Sequence, residues 1–199
     1  MNIKMIAGCA LLAGVTTTFY LYSGAAVASA AAMPATTSAG TAAAADTQAP
    51  MAGLQGRGQG VMRFWGLAIY EARLWVSPGF AAQDYAALPL ALELTYQRAF
   101  TAQAIAQRSI EEMRRVGNFS PEQGARWQQA LQATLPDVQP GDRLMGLYRP
   151  GAGAVFQMQG RTVGEVADAE FARLFFGIWL SPRTSEPQLR QALLALPAP

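Results

Sequence analysis

The sequence predicts an α+β domain in which an antiparallel sheet carries its helices largely on one face. Three observations predict it: stretches of period-two apolar alternation, segments opened by helix-capping signatures, and their order along the chain. Strands come first, two helices follow, and a meander of short strands precedes two more helices, an order that favours segregated helices and strands over alternating βα units. With 199 residues, 51% of them hydrophobic and 14% charged, the chain can bury one core, so a single domain is expected.

Val61 to Val76 alternates Phe64, Ala68, Tyr70, Leu74 and Val76 with Trp65, Leu67, Ile69, Arg73 and Trp75. It reads as one long strand, apolar on much of both faces and therefore largely covered. Leu90, Leu92, Leu94 and Tyr96 alternate with Ala91, Glu93, Thr95 and Gln97, as in a strand with one wet face. Thr101 is placed to cap a helix through Val116, with Ile105, Ile110, Met113 and Val116 as its apolar members and Gly117 as a left-handed stop. Ser120-Pro121-Glu122-Gln123 opens the next helix, because Ser at the N-cap, Pro at N1 and Gln at N3 each meet an N-terminal requirement. That helix turns Trp127, Leu131 and Leu135 inward.

After Pro140-Gly141-Asp142, strands at Arg143 to Tyr148 and Ala154 to Met158 flank a loop rich in Pro and Gly, and Gln159-Gly160 turns into a third strand at Arg161 to Val163. Asp168 caps a helix bearing Phe171, Leu174, Phe175 and Ile178, which Ser181-Pro182 ends. Ser185 to Gln188 repeats the capping-box spacing before a last helix with Leu189, Leu193 and Leu194.

Upstream of the domain, Lys4, the apolar run Met5 to Tyr22 and the small residues ending in Ala28 and Ala30 form a signal-peptide pattern over residues 1–30. Export, to the periplasm, is expected; an uncleaved membrane anchor is the alternative, since the run is about long enough to span a bilayer. Ile6-Ala7-Gly8-Cys9 matches a lipoprotein box by letters, but few apolar residues precede Cys9. Residues 31–53, rich in Ala, Thr and Pro, carry too few large apolar side chains to offset chain entropy and read as a linker, which leaves 54–199 as the folded domain.

The chain has no histidine, which removes Ser-His-Asp and Cys-His nucleophile systems and the commonest metal ligand. Its single cysteine, Cys9, lies in the expected leader, so the domain has neither a thiol nucleophile nor a disulfide. No zinc spacing or phosphate loop is present, and the glycines of Gly56 to Gly60 open no helix, so no metal and no cofactor are expected. Arginines are scattered singly apart from Arg114 and Arg115, read as a solvated helix face, and with a net charge of +2 no nucleic-acid partner is expected.

Gly58-Gln59-Gly60-Val61-Met62-Arg63, followed by Ile69-Tyr70-Glu71-Ala72-Arg73-Leu74-Trp75-Val76, resembles the opening strands of the chalcone isomerase-like family. Gly141-Asp142-Arg143 leading to Tyr148-Arg149-Pro150-Gly151-Ala152-Gly153, then Gly160, Gly164 and Phe175-Phe176-Gly177-Ile178-Trp179-Leu180, extends the resemblance over the whole domain, especially to the family's bacterial exported branch. The resemblance implies an open-faced β-sandwich, an antiparallel sheet under a layer of helices with an apolar cleft between them. Family members include plant enzymes that cyclise chalcones and relatives that hold a fatty acid with its carboxylate against an arginine and a tyrosine.

By resemblance, strict spacing puts Met62 at the family's arginine position with Arg63 adjacent. Strand neighbours face opposite ways, so Arg63 reaches the cleft only if a bulge near Gly58 or Gly60 shifts the register. Tyr70 falls at the hydroxyl position. Thr101 and Arg108 stand where the plant enzymes carry a tyrosine and an asparagine, so that chalcone-cyclising pair is absent. The expected function is non-catalytic binding of an apolar carboxylate such as a fatty acid, with Arg63, Tyr70 and Arg98 as polar groups. An isomerase or intramolecular lyase is the alternative, and an interaction module using Trp65 and Trp75 a third, although both tryptophans read as core or cleft lining.

Overall fold

The computed structural model describes residues 51–196. The expected leader and most of the expected linker lie outside the described residues. Six strands form one sheet in the order β1-β2-β3-β4-β5-β6, each antiparallel to its neighbours. They are β1 (Gln55–Phe64), β2 (Leu67–Val76), β3 (Leu90–Tyr96), β4 (Arg143–Arg149), β5 (Gly153–Met158) and β6 (Arg161–Val166). Helices α1 (Ala102–Val116) and α2 (Pro121–Thr134) lie between β3 and β4, and α3 (Ala169–Leu180) and α4 (Pro187–Leu194) follow β6. This is the α+β architecture expected, an open-faced sheet with helices on one side.

The expected long strand over Val61 to Val76 is instead the end of one strand and the whole of the next. Trp65 and Gly66 form a two-residue turn with φ of 51° and 79°. Positive φ at both central positions is the signature of a type I′ hairpin turn, which normally carries Asn-Gly or Gly-Gly. Trp65 hides the turn in the sequence, because an aromatic at its first position prolongs the apolar alternation.

The helix caps follow the sequence at three of four starts. Thr101 Oγ1 accepts from Ala104 N at 3.1 Å, the Ser120–Gln123 capping box is complete, and Asp168 Oδ1 accepts from Phe171 N at 2.9 Å. The fourth differs: Glu186, not Ser185, holds the N-cap position of α4 without a side-chain cap, because Pro187 sets the first turn. Gly117 also departs from expectation, with an extended φ of −163°. Its lack of a side chain serves packing, since a Cβ there would lie 2.6 Å from Leu174 Cδ2.

Helix α4 packs on β1 and β2, α3 on β4 and β5, and α2 on β6, while α1 rests against α2 and α3. Tyr70, Ala72, Leu74 and Val76 of β2, with Leu92, Leu94 and Tyr96 of β3, join Phe171, Phe176 and Leu180 of α3 in one core. Each such apolar side chain, fully buried, contributes roughly 1.5–3 kcal/mol. On the other sheet face a smaller cluster of Ala91, Met145, Leu147 and Val155 receives Met51, Leu54 and Trp75. Trp75 therefore lies outside the main core, half-buried on the outer face.

A candidate ligand seam between the sheet and the third helix

Between the sheet and α3 runs a seam lined by Leu92 and Leu94 of β3, Leu144 and Gly146 of β4, Phe156 of β5, and Phe175, Phe176 and Trp179 of α3. Every lining side chain is apolar apart from the indole nitrogen of Trp179. Its cavity is about 20 Å³. That is room for about one water, whereas pockets for small organic ligands enclose roughly 300–1,000 Å³. Edge-to-face contacts of Phe175 with Phe156, Phe176 and Trp179, at centroid distances of 5.4, 5.5 and 5.4 Å, hold it shut.

Trp179 joins the seam to a polar group at its edge. The indole N–H donates to Tyr70 Oη at 3.0 Å. Tyr70 packs edge-on against Tyr96 at 6.0 Å, and Tyr96 continues the row of Leu92 and Leu94 along β3. Burial pushes the Tyr70 hydroxyl up to about 12; the Trp179 bond pulls the other way, Glu186 and Glu112 push it further up, and Arg108 opposes them. Burial, with Tyr70 adding to it, also drives Tyr96 well above the ordinary tyrosine range. Both phenols thus keep their protons at neutral pH and have a proton to donate. Tyr70 Oη donates to no acceptor among the described residues, and Tyr96 Oη makes no hydrogen bond with any of them.

Arg108 belongs to the same neighbourhood but is committed: it pairs with Glu111 at 3.3 Å and with the buried Glu112 at 2.6 Å. Glu186 faces that pair, and its carboxyl is raised by its burial and then by Glu112, with Arg108 opposing. Thr101 is exposed and its hydroxyl is spent on the α1 cap. Arg98, exposed in the loop after β3, makes no hydrogen bond or ion pair with any described residue.

Met62 and Tyr70 are register partners on the helix-facing side, and Met62 packs against the core. A bulge does fall beside Gly58, between Gly56 and Gly58, but it leaves Met62 rather than Arg63 on the helix-facing side, and a second register shift falls between Met62 and Arg63. The first one aims Arg57 at the helix layer, where its Nε donates to Leu194 O at 2.9 Å. Arg63 stays exposed, its Nη1 donating to Gly66 O at 3.3 Å within the turn, and takes no part in the group around Tyr70. The structure therefore brings Met62, Tyr70 and Arg108 together and leaves Arg63, Arg98 and Thr101 on the surface. Tyr96 and Trp179 were missed; the alternation of Leu92, Leu94 and Tyr96 was the signal for Tyr96, whereas a tryptophan on a helix gives no sign that its N–H meets a tyrosine across the core.

An antiparallel open-faced sheet with an apolar seam beneath a covering helix defines the class. Residues 35–195 match the chalcone isomerase-like family, and the chain belongs to that family. An uncharacterized protein of Haemophilus influenzae is 29% identical over 106 residues, which are 53% of this chain and 52% of that protein. The chain thus spans about half the length of the curated relative it matches. The crystal structure of a fatty-acid binding protein of Arabidopsis thaliana is similar with a TM-score of 0.56 and 11% identity, covering 71% of this chain and 87% of that one. At that identity the likeness is one of fold.

Proposed function

We propose that this protein binds an apolar carboxylate, such as a fatty acid, in the seam between sheet and α3, without transforming it. The observation that carries the reading is the meeting of the apolar seam, at Trp179, with Tyr70, whose neighbour Tyr96 adds a second spare hydroxyl proton. A carboxylate leaving water needs donors, and hydrogen bonds to a charged group contribute roughly 1.5–3 kcal/mol each. Tyr70 and Tyr96 supply two. Arg108 is the cation whose charge reaches Tyr70, but a ligand there competes with Glu112 and meets Glu186.

Since the seam holds only about 20 Å³, an acyl chain enters by displacing Phe175 and Trp179. Phenols that hold their protons this strongly are poor bases at neutral pH, which favours binding over proton transfer. The leader pattern supports a periplasmic location for this activity. The Arabidopsis thaliana relative, a fatty-acid binding protein of similar fold, agrees with the binding reading. Native mass spectrometry of the freshly purified protein tests it: a co-purifying mass released as a long-chain acid on denaturation is expected, and protein that stays free of ligand when mixed with excess fatty acid contradicts it.

A further inference from the structure

The β1–β2 turn is built against the ordinary preferences of a water-soluble hairpin. Trp65 is 90% exposed, and beside it Phe64 is 56%, Leu67 51% and Val61 43% exposed. The rings of Phe64 and Trp65 lie 6.1 Å apart, forming one apolar tip. Trp65 also sits at φ 51°, a left-handed conformation that is costly for a bulky residue and that Asn or Gly adopts at little cost. Neither core packing nor turn geometry requires a tryptophan there. The charge beside it is positive: Glu71 pairs with Arg73 at 3.0 Å, and Arg63, bonded to the Gly66 carbonyl, has no acidic partner among the described residues.

We infer that this tip docks the protein on the anionic lipid surface of a membrane, with Trp65, Phe64 and Leu67 entering the interface and Arg63 meeting the headgroups. Trp is favoured at the boundary between headgroups and acyl chains, and a cation near an anionic leaflet adds attraction. A protein partner fits less well, because a two-residue turn is a small convex point and stable protein interfaces bury roughly 800 Å² on each side. Docking also has a use that rests on the binding reading above. The same hairpin carries Met62 and Tyr70, so a docked tip holds the polar end of the seam close to a source of acyl chains.

The test uses the full chain with vesicles of phosphatidylcholine alone or mixed equally with phosphatidylglycerol, some with brominated acyl chains. The readout is quenching of tryptophan emission, taken as the difference between wild type and Trp65→Asn. The chain has no tryptophan before Trp65, so membrane insertion of the N-terminal apolar run does not mimic the signal. Trp65→Asn restores the favoured Asn-Gly turn chemistry, so it is expected to melt no lower than wild type while vesicle-dependent quenching is lost. With anionic vesicles, Phe64→Ser is expected to weaken partition about tenfold, or ~1.4 kcal/mol. Equal quenching in wild type and Trp65→Asn overturns the proposal, as does absence of quenching in wild type, the result expected if the tip serves a protein partner. Quenching as strong on phosphatidylcholine alone overturns the role given to Arg63. All measurements are made without fatty acid, so failure of the seam to bind a ligand leaves this result standing, and the reverse holds too.

Discussion

Replacing Gly58 by alanine is expected to damage the fold far more than the same change two residues earlier. A Cβ at Gly58 would lie 2.2 Å from Ala192 O, 2.5 Å from Leu193 O and 2.9 Å from Leu193 C. All three are backbone atoms, so no side-chain rotation relieves the clash and the last turn of α4 must retreat by roughly 1 Å to restore ordinary contact. That turn carries Leu193 and Leu194, both fully buried, and accepts the Arg57 hydrogen bond at Leu194 O. A gap of that size forfeits about a quarter to a half of the affected dispersion contacts. Together with the weakened hydrogen bond, the expected loss is about 2–4 kcal/mol. At Gly56 a Cβ would meet only the Trp75 ring, at 3.9 Å, and Gly56→Ala is expected to be neutral or to stabilise by up to about 0.5–1 kcal/mol, since glycine weakens a strand. Urea unfolding followed by circular dichroism of the two variants decides it. If Gly58→Ala costs less than about 1 kcal/mol, or no more than Gly56→Ala, then α4 does not seat on β1 as described.

Asp168→Ala is expected to cost about 2–4 kcal/mol by urea titration, because one carboxylate both caps α3 and accepts from Trp127 Nε1 at 2.8 Å, so a helix cap and a buried indole partner are lost together. Stability is expected to decline in alkali. The buried tyrosines titrate above their unfolded value near 10, so their contribution is complete below that pH and is lost as the pH rises toward about 12 and beyond. Thermal melts across this range check it, and Tyr96→Phe, which removes a hydroxyl bonded to no described residue, should melt as wild type does at pH 7 and show a shallower alkaline decline.

Most of the fold was legible because its signals are local. Ser120 with Gln123 and Asp168 before Phe171 are each decided within a few residues, and the structure keeps them; the alternation of Leu90 to Tyr96 marks a strand, but the face it presents as wet is covered, with Ala91 and Glu93 buried. The β1–β2 turn was not legible, because Trp65 occupies a position whose chemistry calls for Asn or Gly and so breaks the rule that would reveal it. Ser185 misled for a related reason: the cap spacing was present, but Pro187 one turn position later decided where α4 begins. In the candidate site, Tyr70 could be positioned by resemblance, yet the orientation of Arg63 turned on the β1 register: glycines marked where a bulge could fall, but not which residue would face the helices after it. The Trp179–Tyr70 bond spans 109 positions and exists only once α3 folds over the sheet.

If spare phenol protons at the edge of an apolar seam receive a carboxylate, removing one of them must weaken the hold on an acid and spare a neutral ligand of the same length. The decisive experiment is a titration of one long-chain fatty acid into wild type and Tyr96→Phe, with the corresponding long-chain alcohol as control. The Tyr96 hydroxyl bonds to no described residue, so its removal perturbs the fold little. Saturable binding by wild type is expected, with a loss of about tenfold or more in Tyr96→Phe for the acid, roughly 1.4 kcal/mol, and little change for the alcohol. Equal affinity of the two proteins for the acid would contradict it.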